Sequence, residues 1–69
     1  GDALAAALSA AELRVAEAVA SGLTNRQAGD LLYLSAKTVD FHLQTIYRKL
    51  GIRSRAELAT RVATRHRPA

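Results

Sequence analysis

Residues Ser35 to Gly51, S-A-K-T-V-D-F-H-L-Q-T-I-Y-R-K-L-G, constrain this chain more than any other stretch. Both ends of a helix are marked there. Ser35 is a good N-cap, because its hydroxyl can accept an orphan N–H of the first turn. Gly51 stands where a left-handed residue closes a helix. No Pro or Gly interrupts the span. Val39, Leu43, Ile46 and Leu50 recur at i, i+4, i+7 and i+11, which forms one apolar stripe at helical period. At about 100° per residue, Lys37, Phe41, Gln44 and Arg48 fall on roughly the opposite face, with Asp40 on its shoulder. A helix with one packed side and an outer side of Lys, Asp, Phe, Gln and Arg suits a DNA major groove. A solvated polar face is the alternative reading of the same pattern.

The rest of the chain reads as short helices punctuated by caps. Residues 1–7 are Ala-rich and weakly helical, and are expected to form a frayed linker or lead-in. Leu8-Ser9-Ala10-Ala11-Glu12-Leu13 is a helix start. Ser9 and Glu12 form a capping box, and Leu8 with Leu13 matches a hydrophobic staple. The first predicted helix runs to about Ser21, with Leu13, Ala16, Val19 and Ala20 inward. Gly22 fits the position after it, and Leu23 folds back as its apolar partner. Thr24 and Gln27 make a second capping box. It opens a short second helix, Asn25 to Leu32, presenting Ala28, Leu31 and Leu32. Gly29 inside that helix costs about 1 kcal/mol against Ala, so close approach of another helix backbone is the expected compensation. Tyr33-Leu34 turns into Ser35, and Tyr33 and Tyr47 read as core or rim residues. Two helices joined this closely make a helix-turn-helix. Beyond Gly51, Ile52 is expected to tuck into the core. Ser54-Arg55-Ala56-Glu57 reads as a third capping box, and the fourth helix spans about Arg55 to Thr64 with Leu58 and Val62 inward. Residues 65–69 form a basic tail expected to be disordered. No alternating run is long enough for a strand.

Sixty-nine residues allow one small domain, which buries only about 60% of its unfolded surface. The domain itself is expected to span residues 8–64. Cysteine is absent, which excludes disulfides, thiolate metal sites and thiol nucleophiles. No apolar run approaches the ~20 residues of a membrane span, and no membrane contact is expected. The lack of cysteine is compatible with a reducing cytosol, and a cytoplasmic location is expected. The net charge of +4 is unevenly spread. Residues 1–34 carry two Arg against four acids, whereas residues 35–69 carry eight Lys or Arg against two acids. A polyanion partner on the C-terminal half follows from that asymmetry.

Several segments together resemble a known family. They are Leu8-Ser9-x-x-Glu12, Gly22-Leu23-Thr24-Asn25-Arg26-Gln27, Leu34-Ser35-x-Lys37-Thr38-Val39-x-x-His42, and Lys49-Leu50-Gly51-Ile52-x-Ser54-Arg55-x-Glu57-Leu58. In this spacing they resemble the LuxR-type helix-turn-helix domain of quorum-sensing and NarL/FixJ-type regulators, over residues 8–63. The resemblance implies an all-α, four-helix domain whose third helix enters the major groove and whose fourth often forms a two-fold interface. It places base-reading positions on Asp40, Phe41 and Gln44. Backbone-contacting positions fall on Asn25, Lys37, Thr38, Lys49 and Arg55, and the outer-face reading adds Arg48. The exposed side of the fourth helix, Glu57, Thr60, Arg61 and Thr64, is the expected dimer surface. Double-stranded DNA is the implied partner, with a weak homodimer on DNA and an upstream sensory or regulatory domain in the full-length protein. Four positions depart from the common pattern. Ala11 replaces an Arg, Ala28 a larger aliphatic, Gly29 an Ala, and Asp40 a Lys or other non-acidic residue.

Other readings stand beside this one. A sigma-factor-like promoter-reading domain is disfavoured by the G-I-R-S-R-A-E-L segment and the fourth helix. A protein-interaction bundle would use the outer face of the third helix and respond little to salt. Phe41 would then pack under a partner domain. Arg55 also reads as the partner of a nearby acid, and Arg65 and Arg67 as solvated charges. Catalysis is the weakest reading. His42 and His66 are the only histidines, and Asp40 and His42 point to different faces. No metal or cofactor site has the required spacing.

Overall fold

The computed structural model describes residues 3–65, all of whose regular structure is helical. Five helices follow one another: α1 (Ala3–Ala7), α2 (Ala10–Ala20), α3 (Asn25–Leu32), α4 (Ala36–Leu50) and α5 (Arg55–Arg65). The last four are those expected from the sequence. Their starts are set locally. Ser9 Oγ accepts the Glu12 N–H at 3.1 Å while Glu12 Oε1 accepts the Ser9 N–H at 2.9 Å. Thr24 and Gln27 repeat that reciprocal pair at 3.1 and 2.9 Å. Ser35 Oγ caps α4 by accepting the Thr38 N–H at 3.0 Å. The third box differs from its expected form. Ser54 Oγ accepts the Glu57 N–H at 3.2 Å, but the Glu57 carboxylate takes the N–H of Arg53, not that of Ser54, at 2.6 Å.

α2 is the hub and packs against α3, α4 and α5, while α3 packs on α4. Val15, Ala16 and Val19 of α2 meet Val39, Leu43 and Ile46 of α4 and Leu58 and Val62 of α5 in one core, with Ala28 of α3. The α4 stripe is therefore as expected, with Leu50 and Ile52 packed at its edge. Val15 and Ala18 are buried as well, because α2 is covered on more sides than a single stripe allows.

Residues 3–7 differ from the frayed lead-in expected over 1–7, and residues 1 and 2 lie outside the described residues. Ala3–Ala7 form α1, and Leu4 is only 4% exposed. One turn of helix has no independent stability. Its order comes from packing on α2 and α5. At the other end α5 continues to Arg65, whose Nη1 meets Glu17 Oε2 at 3.1 Å. Arg65 thus belongs to the fold and not to a solvated tail. Residues 66–69, including Arg67, lie outside the described residues.

The connection between α3 and α4 sets the pose of α4. Tyr33 ends α3 in the left-handed region at φ 61°, ψ 40°, and the Leu34 N–H returns to the Gly29 carbonyl at 2.8 Å. Gly29 is tight for a different reason from the one its sequence suggests. A Cβ there would overlap the Leu34 carbonyl oxygen and stand 3.3 Å from the carbonyl carbons of Leu34 and Ser35. The close neighbour is the backbone of the turn itself, not another helix.

Candidate nucleic-acid interface

α4 is held from one side only. Its apolar stripe is buried, and the opposite face exposes Lys37, Asp40, Phe41, Gln44 and Arg48. Phe41 is 68% exposed, and among the described residues its one ring–ring contact is with half-buried His42, with centroids 6.1 Å apart and planes inclined at 61°. A ring this exposed adds nothing to the core and is available to a partner. Thr38 flanks the face, half-buried, and its hydroxyl accepts from Ser35 Oγ at 2.9 Å. The structure therefore brings Asp40, Phe41 and Gln44 together on one accessible surface, with Lys37 and Arg48 along it.

From α3 to the start of α5 the cations sort into two groups. Lys37 and Arg48, with Arg26 and Arg53, are exposed and make no side-chain hydrogen bond or ion pair among the described residues. Lys49 and Arg55 are already engaged. Lys49 Nζ lies 2.7 Å from Glu12 Oε1. Arg55 donates through Nη1 to Asn25 Oδ1 at 2.6 Å and through Nη2 to the Leu23 carbonyl at 2.7 Å. Its partners are an amide and a carbonyl, not the acid that a basic residue at a helix start suggests. Lys49 thereby ties the end of α4 to the start of α2. Arg55 ties the start of α5 to the start of α3.

Glu12 is the one residue here that sequence reasoning undervalued. It reads as a cap, yet it is 7% exposed and carries both the cap and the Lys49 pair. Lys49 beside it, and the Ser9 N–H, hold its carboxyl below the usual carboxylate range. A folded pKa below the unfolded one stabilises at pH values above the unfolded pKa. That stabilisation is lost as pH falls through the folded value. The urea midpoint is expected to be flat near neutrality and to drop on acidification, and Glu12→Gln should flatten that acid limb. An unchanged acid limb in the variant would show that Glu12 is not its source.

The α5 residues expected at a dimer contact, Glu57, Thr60, Arg61 and Thr64, are all exposed. All four have internal roles, that of Glu57 being its bond to the Arg53 N–H. Arg61 Nη1 donates to the Leu50 carbonyl at 3.3 Å, a cation on the C-terminal end of α4. The hydroxyls of Thr60 and Thr64 return to carbonyls one turn back. Ile52, Ala56, Glu57, Thr60 and Arg61 line a shallow groove beside them.

The family profile described as bacterial regulatory proteins, luxR family, matches residues 6–62. The chain belongs to the LuxR family. As a LuxR-family domain it is a DNA-binding helix-turn-helix unit of transcription regulation. It is 38% identical over 61 residues to an HTH-type transcriptional regulator of Mycobacterium tuberculosis, covering 88% of this chain and 7% of that protein. It is 45% identical over 51 residues to the Fimbriae Z protein of Escherichia coli, covering 74% of this chain and 24% of that protein. It is 43% identical over 44 residues to the nitrate/nitrite response regulator protein NarP of the same organism, covering 64% and 20%. The LuxR-family domain described here thus spans 7% to 24% of the length of these relatives. No solved structure gave a significant match.

Proposed function

We propose that the domain binds double-stranded DNA sequence-specifically, with α4 in the major groove. The observation that carries this is the accessible α4 face, where Asp40, Phe41 and Gln44 stand between the unpaired cations Lys37 and Arg48. Each side chain suits one kind of base edge. Gln44 can pair with adenine N6 and N7, and Phe41 can meet a thymine methyl. Asp40 repels phosphate but can accept from cytosine N4, so it selects rather than attracts. Lys37, Arg48 and Thr38 contact the sugar-phosphate backbone in this reading. Asn25, Lys49 and Arg55 lie at the margin, and their internal bonds fix the helices that present the face. α5 supplies a weak two-fold contact through Glu57, Thr60, Arg61 and Thr64, so that two copies dock about one helical turn apart.

The named relatives are several times longer than this chain, and two of them are named as regulators; the domain is read as the DNA-binding part of such a protein, with a sensory or regulatory domain upstream. A cytoplasmic setting fits that role. Among the described residues no helix is long and apolar enough to cross a membrane.

Selection of bound sites from random duplex DNA tests the reading. Paired half-sites about ten base pairs apart are expected. Gln44→Ala is expected to cost about 1–3 kcal/mol and to relax preference at one base position. An unchanged selected motif in that variant would remove Gln44 from base readout. Recovery of no enriched motif from the parent domain would overturn the proposal.

A further inference from the structure

Three large apolar side chains are strongly exposed among the described residues, and all lie in the α3–turn–α4 unit: Leu31 at 60%, Tyr33 at 96% and Phe41. Leu31 and Tyr33 both differ from the inward or rim placement that their sequence suggests. Tyr33 is the more informative. It is also the one non-glycine residue at positive φ among the described residues. The turn requires that conformation, because the Tyr33 N–H closes α3 on the Gly29 carbonyl. Glycine adopts it freely, whereas a residue with a Cβ is strained there. The tyrosine gains nothing inside the domain in return. It has no side-chain hydrogen bond, no ring contact and almost no buried surface. A strained residue that contributes nothing to packing points to a contact outside the fold.

The position indicates which contact. Tyr33 stands two residues before Ser35, the N-cap of α4, and four before the unpaired Lys37. In helix-turn-helix docking the first helix crosses the DNA backbone, and the turn after it leads from there into the groove. A tyrosine hydroxyl is a known kind of donor to phosphate oxygen. We propose that Tyr33 is a DNA-backbone contact, its hydroxyl donating to a phosphate oxygen beside the start of α4. The inference rests on α4 being the groove helix.

Stability and affinity should move in opposite directions on substitution. Tyr33→Gly relieves the backbone, and its Tm is expected to rise by about 2–4 °C. The same variant is expected to bind the selected duplex about tenfold more weakly, as befits one lost hydrogen bond to a charged group. Tyr33→Phe keeps the ring and should lose affinity by a similar factor. Both losses should be equal across DNA sequences and should leave the salt slope unchanged, since no charge is removed. Parent-like DNA affinity of Tyr33→Phe and Tyr33→Gly would overturn the inference and leave that surface to a protein partner. A lowered Tm for Tyr33→Gly would overturn it too, by showing that the ring serves the fold. Failure of the parent domain to bind DNA would instead sink the groove reading, and the parent titration separates the two.

Discussion

Gly29→Ala is expected to destabilise the domain by about 2–3 kcal/mol, and Gly29→Leu to leave it largely unfolded. A domain this small has a total stability of about 3–5 kcal/mol, so either loss is a large fraction of it. Two terms of opposite sign compete at this position. Ala is a better helix former than Gly by about 1 kcal/mol. Against that, the added methyl overlaps the Leu34 carbonyl oxygen and crowds the carbonyl carbons of Leu34 and Ser35. These are backbone atoms, so no side chain can swing aside. They also belong to the turn fixed by Tyr33 in the left-handed region and by the Leu34-to-Gly29 hydrogen bond. Moving them tilts α4, whose stripe supplies Val39, Leu43 and Ile46 to the core. The steric term therefore wins. The family resemblance makes Ala usual at this position and a larger aliphatic usual at Ala28. Both residues are smaller here, and at Gly29 it is the turn backbone that fills the space a methyl would need. Urea unfolding followed by circular dichroism decides the matter. A Gly29→Ala midpoint at or above that of the parent would show that the turn backs away at little cost.

How much of this was legible in the sequence depends on the range of each interaction. The capping pairs of Ser9 with Glu12 and Thr24 with Gln27 span three residues, and α3 matches its expected bounds from Asn25 to Leu32. The α4 stripe repeats over about three turns and leaves no ambiguity about which side is buried. α3 has only eight residues, too few to fix an arc, so Leu31 reads inward although it is 60% exposed. Tyr33 is hidden for another reason. Its left-handed conformation is set by the turn, and no Gly or Asn advertises it. The bonds from Lys49 to Glu12 and from Arg55 to Asn25 join residues 37 and 30 positions apart, where no local period reaches. The order of α1 likewise comes from packing on α5, at the far end of the chain. Composition and motif thus outline the DNA-binding face. Which of its cations are free to meet phosphate is a tertiary fact.

That sorting fixes the salt dependence of binding. If Arg26, Lys37, Arg48 and Arg53 each neutralise one phosphate, log K against log salt should fall with a slope of about −3.6 per protomer. Between 50 and 200 mM salt, roughly a fourfold rise, affinity should drop by about 100-fold or more. Counting Lys49 and Arg55 as phosphate contacts as well would steepen the slope to about −5.4. The structure argues for the shallower value. Lys49 is held at 2.7 Å by a buried carboxylate that also caps α2, and leaving it would strand Glu12 without its cation. Arg55 would have to release both Asn25 and the Leu23 carbonyl. Single variants separate the two groups. Lys37→Ala and Arg48→Ala should each lower the slope by about 0.9, since each removes one released counterion. Lys49→Ala should leave the slope unchanged, and any loss of affinity it shows should be the same at every salt concentration. A decrease in slope for Lys49→Ala equal to that for Lys37→Ala would mean that the ammonium abandons Glu12 for phosphate on binding. Glu12→Gln would then strengthen binding at low salt by freeing Lys49, whereas a clamp that positions α4 predicts that it weakens binding.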